Sequence, residues 1–174
     1  HAHSVDSRFG DFYGGMLHPI TAMEHLFPML AFGLLAGQQG ADRARWRVVL
    51  FPASLLIGSI FAVGADVGPE IVWINRISFV AIGILVATAV RLPFPILCAL
   101  SILFGLSHGL ENTAGVSGST TMEMFIPGVF ACGLAVVAIV AAIVVNPDRS
   151  WQQIAVRVVG SWIAAIGMLI IGLG

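Results

Sequence analysis

The chain has 174 residues, 58% of them hydrophobic and 10% charged, with a mean hydropathy of +0.98, which is far too apolar for an ordinary soluble domain. Net charge is −1 and there is no lysine, which excludes a nucleic-acid partner and a polybasic attachment to anionic lipid. The composition indicates an all-α, polytopic membrane protein with the lipid bilayer as its solvent, and Cys98 and Cys132, each within apolar sequence, indicate no disulfide framework.

A chain that opens at His1 reads as one from which a secretory signal peptide has been removed. Residues 1–16 are then an extracytoplasmic N-terminal tail, followed by a transmembrane domain over 17–174. The tail begins His1-Ala2-His3. A free terminal amine, two amides and the His3 imidazole offer Cu(II) or Ni(II) a square-planar donor set, and His1 can add its own ring.

A window of about 19 residues finds six apolar segments long enough to cross about 30 Å of hydrocarbon. They lie near 17–37, 46–64, 71–90, 93–110, 123–145 and 154–173 and are expected to pack as one bundle. Glycine, proline, asparagine and charge punctuate the connections. Arg43, Arg45, Arg47, Arg91, Arg149 and Arg157 fall on alternate connections, so the positive-inside rule turns those toward the cytoplasm and leaves both termini outside. The expected location is a bacterial-type inner membrane.

Polar residues in the first span carry the chemical signal. His18-Pro19 reads as a helix start, with proline at the first helical position. His25 follows by about 700° of rotation and about 10 Å of rise, so it lies below His18 on nearly the same face, and Met29 continues that stripe. Glu24 points about 100° away. Pro28 cannot donate to the Glu24 carbonyl and should bend the helix there.

The fourth span ends with His108 and Glu111 one helical turn apart, rising toward the same outer side. Gly105 and Gly109 bracket His108 and allow a neighbouring helix to come close, which is expected to set His108 against the first span. Imidazole and carboxylate donors in a partly dry pocket suit a borderline divalent ion such as Ni, Co, Cu or Zn, softened if the Met29 thioether joins. Glu123, between Met122 and Met124, is a further candidate contact. The structural alternative has each histidine bonding backbone while Glu24 or Glu111 pairs with Arg76.

At these residues the chain resembles the HupE/UreJ family of small membrane proteins. HPITAMEHLFPM looks like the family's H-P-x-x-G-x-D-H motif: His18, Pro19 and His25 match, Glu24 replaces the usual aspartate, and Ala22 stands where glycine is common. FGLSHGLEN is similar to a family segment rich in histidine and glycine that ends in glutamate, covering Gly105, His108, Gly109 and Glu111, with Ser107 and Leu110 where relatives often carry more histidine. The resemblance implies a nickel or cobalt permease serving hydrogenase and urease maturation, with a metalloenzyme-maturation partner or a homo-oligomer.

The leading expectation is therefore a divalent-metal permease with a site of His18, Glu24, His25, His108 and Glu111. A membrane protein that binds or delivers metal without transporting it is the second reading. A b-type haem protein with His25 and His108 as axial ligands is the third. Hydrolase and nucleotide-phosphate motifs such as H-E-x-x-H and G-x-S-x-G do not occur, so no enzyme is expected.

Overall fold

A computed structural model describes residues 2–114, 116, 120–145 and 150–173, with the side chains of 2–8, 43 and 47 left aside. These residues form seven helices: α1 (Ala2–Thr21), α2 (Met23–Gln38), α3 (Ala41–Phe61), α4 (Pro69–Thr88), α5 (Phe94–Thr113), α6 (Met122–Val144) and α7 (Ser150–Leu173). The described fold is all helical. Five helices, α3 to α7, are long and apolar enough to cross a bilayer, and α1 with α2 makes a sixth span if the bent pair is counted as one.

The first span departs from expectation. A single helix over 17–37 is replaced by α1 and α2, bent by 79° with only Ala22 between them. Ala22 is extended (φ −105°, ψ 110°). Pro19 does not open a helix; it is buried in the last turn of α1. The Thr21 hydroxyl donates to the carbonyls of both Leu17 and His18 at 3.1 Å, which satisfies groups that a helix end would otherwise leave bare. Pro28 lies inside α2 without ending it. Residues 2–16, expected as a tail, are the first three-quarters of α1.

Helix α2 is the centre of the bundle, touching all six other helices. Its residues from Pro28 to Gly37 are all buried except the half-buried Leu30, the mark of a helix that is apolar all round. The other six pack pairwise about it as α3 with α5, α4 with α7 and α1 with α6. Glycines allow these close crossings. On α5 a side chain at Gly105 would meet the Phe51 carbonyl of α3 at 2.7 Å, one at Gly109 would strike the Leu55 carbonyl, and Gly58 of α3 lies against Leu106 in return. The Gly105/Gly109 ridge thus seats α5 on α3, not on the first span as expected. The reason is angular: His108 stands on a different side of the α5 cylinder from the two glycines, so close approach to α3 leaves His108 free to face α2 and α4.

Large apolar side chains cover the lipid-facing exterior. Trp46, Trp73 and Trp151 are exposed near helix ends, where the amphipathic indole suits the membrane interface. Arg157 folds back so that its Nε donates to the Ala87 carbonyl at 2.9 Å.

Candidate metal centre

His25, His108 and Glu111 each offer one donor atom, and all three atoms lie within 4.8 Å of one another. They come from different helices: His25 from the first turn of α2, His108 and Glu111 from the last two turns of α5. Donors that share one ion at bond lengths of about 2.1 Å sit roughly 3–4 Å apart, so the three atoms need to draw in by roughly an ångström or two to close on a cation. Two imidazoles with one carboxylate form a borderline donor set with a single negative charge, suited to Ni, Co, Cu or Zn rather than to alkaline-earth ions.

The other sequence candidates surround this trio at different ranges. The His18 ring lies 5.3 Å from that of His25, centre to centre, and 5.5 Å from Phe125 of α6. The close approach of His18 and His25 is a product of the bend at Ala22. Glu24 lines a small cavity of about 20 Å³ together with His108, Glu111, Asn75 and Arg76, enough for an ion or a water molecule. Met29 is elsewhere, buried in the apolar core with its thioether facing Gly133 of α6. Glu123 is exposed in the first turn of α6 and falls outside the three-donor group. His1 lies outside the described residues, as does the side chain of His3.

Helix α4 supplies what the sequence reading overlooked. Asn75 and Ser78, one turn apart and both buried, face α5. The Asn75 amide nitrogen donates to the Ser107 carbonyl at 3.0 Å and, in a short contact, to a Glu111 carboxylate oxygen. The Ser78 hydroxyl lies 2.9 Å from His108 Nε2. Asn112 donates to the His108 carbonyl at 2.8 Å. The signal was present as polar residues at i and i+3 within the apolar run WINRISF, which places them on one helix face. Arg76 lines the same cavity, its Nε buried without a hydrogen-bond partner and its guanidinium 5.4 Å from the Trp73 ring centre.

Several polar atoms here have no partner: Nδ1 of His25, Nδ1 of His108 and Oδ1 of Asn75 are all buried and unbonded. Each such atom costs about 1–3 kcal/mol if left unsatisfied. The amide oxygen offers a lone pair to a cation, and each imidazole Nδ1 does so when the ring proton sits on Nε2. The helix ends opposite this site carry another polarity, with Gln38, Arg91 and Arg157 around a separate cavity.

No curated protein and no solved structure matches the chain. The model of the HupE / UreJ protein family matches residues 1–170, nearly the whole length, and the chain belongs to that family.

Proposed function

We propose that this protein is a membrane permease for a divalent transition-metal ion, nickel or cobalt first, which binds at His25, His108 and Glu111 near the outer ends of their helices. Membership of the HupE / UreJ family ties the chain to nickel- and cobalt-related membrane proteins. The observation that carries the reading further is the convergence of three donor atoms from α2 and α5 within 4.8 Å, because ionisable groups are costly to hold within a membrane. His18 and Glu24 stand on the approach to the trio and would pass the ion inward from the face where His1 and His3 would first collect it. A cavity of about 20 Å³ suits an ion and not a porphyrin, which disfavours the haem reading.

Beyond the trio the way is closed. Phe32 of α2 stacks on Phe51 of α3 with ring centres 4.1 Å apart, and Phe104 of α5 meets it edge-on at 6.2 Å. Ser101, Thr88 and Ser161 spend their hydroxyl protons on carbonyls of their own helices. Transport therefore requires a second conformation in which the central helix α2 shifts against its neighbours. The closed inner half is also what favours the second reading, a membrane protein that binds metal without moving it.

Uptake of Ni²⁺ or Co²⁺ into sealed proteoliposomes tests the proposal. The expected result is flux that His25→Ala and His108→Ala abolish while both variants still insert. Metal binding in detergent with no flux into vesicles would favour the second reading, and absence of both would end the metal reading.

A further inference from the structure

Ser78 belongs to no motif, yet among the described residues it makes the one hydrogen bond to the ring of His108. We propose that Ser78 is a positioning residue that fixes the tautomer of His108 and so presents its Nδ1 as the metal-binding atom; this rests on the reading of the site as a metal site.

The argument is an accounting of protons. Ser78 Oγ lies 2.7 Å from the Asn75 backbone carbonyl and 2.9 Å from His108 Nε2. A carbonyl oxygen can only accept, so the single hydroxyl proton lies on the bond to Asn75. Toward His108 the same oxygen has only lone pairs to offer. Nε2 must therefore carry the ring proton and donate it. A neutral imidazole has one such proton, which leaves the lone pair on Nδ1. That atom is buried and without a hydrogen-bond partner. The opposite tautomer would set two lone pairs against each other at 2.9 Å and leave a buried Nδ1–H without an acceptor within hydrogen-bond distance, at a cost on both counts.

Packing holds the arrangement in place. Ser78 is fully buried, and its carbonyl partner belongs to Asn75, whose side chain is itself tied to Ser107 and Glu111 of α5. One turn of α4 thus braces both α5 donors, His108 through Ser78 and Glu111 through Asn75. Metal-bound histidines commonly have their second ring nitrogen held by an outer partner, and loss of such a partner typically weakens binding roughly 10- to 100-fold.

The test uses the full chain in detergent micelles, labelled with ¹⁵N-histidine and kept metal-free at alkaline pH. Two-bond nitrogen–proton correlations report which ring nitrogen carries the proton. The expected result is a His108 ring protonated at Nε2 in the native protein, a mixture of tautomers in Ser78→Ala, and Ni²⁺ affinity lowered roughly 10- to 100-fold in that variant. A native His108 protonated at Nδ1 overturns the proposal, as does an unchanged Ni²⁺ affinity in a folded Ser78→Ala protein. If that variant does not fold, the native spectrum alone decides. Failure of the underlying metal reading looks different: the native protein takes up no Ni²⁺ although His108 is protonated at Nε2.

Discussion

His18 and His25 hold their rings 5.3 Å apart across a 79° bend between two helices. On one straight helix the same residues would be separated by about 10 Å along the axis, too far to share an ion. The bend at Ala22 converts a linear pair into a facing one. His25 then meets the α5 donors directly, whereas His18 joins through His25. His25→Ala should therefore weaken Ni²⁺ binding far more than His18→Ala does, by roughly 100-fold against roughly 10-fold, the scale on which supporting contacts at metal sites act. Titration calorimetry on the detergent-solubilised variants checks the order; equal losses would place His18 in the primary donor set.

Glu111 has two jobs that one substitution separates. Its carboxylate accepts from the Asn75 amide and supplies the only negative charge in the trio. Glu111→Gln keeps an oxygen for Asn75 and removes the charge. Thermal stability should change by less than about 1 kcal/mol, while Ni²⁺ affinity falls at least roughly tenfold. A large stability loss with intact binding would make Glu111 a structural residue.

Two glycines on helices test the packing account. Gly109 of α5 sits against the Leu55 carbonyl and the Ser59 amide of α3, and its own carbonyl accepts from the Ser59 hydroxyl at 3.1 Å. Gly109→Ala forces the pair apart and should cost about 1–3 kcal/mol, the usual penalty of overpacking. Gly14 of α1 has open space where a side chain would go. Gly14→Ala should leave stability unchanged or raise it by up to about 1 kcal/mol through helix propensity. Denaturation in mixed micelles measures both.

Acid should work against the metal. Imidazole binds a cation only when neutral, so protons compete with Ni²⁺ at His25 and His108 and metal binding releases protons. Lowering the pH must lower occupancy and uptake, and raising it cannot have that effect through these residues. Flux measured across a pH series with the gradient across the vesicle clamped checks the sign; uptake that rises as the outside is acidified would point to proton-driven exchange dominating over ligand protonation.

The aromatic plug makes its own prediction. Phe51 is fully buried against Phe32, so Phe51→Ala should destabilise the bundle by about 3–5 kcal/mol. Chemical denaturation of the purified protein would show it.

Hydropathy and residue identity by themselves determined that this is an all-helical membrane chain. Five of the expected spans match α3 to α7 within a few residues, because twenty apolar residues in a row admit almost no other solution in lipid. The first span was misread because bending at Ala22 leaves no local mark as strong as proline. Pro19 reads as a helix start and Pro28 as the bend, yet both are accommodated inside helices. The resemblance to the HupE/UreJ family was likewise readable in HPITAMEHLFPM and FGLSHGLEN, and the match over residues 1–170 agrees with it.

Only the tertiary structure decided which helix faces meet. Sequence periodicity says which residues share a face of one helix, but not which neighbour that face will find. It could not tell that α2 is central, that Gly105 and Gly109 serve α3, that Met29 turns to α6, or that Asn75 and Ser78 reach Glu111 and His108. Those pairings span tens of residues of chain and are selected jointly by close packing of small residues and by the need of each buried polar atom for a partner.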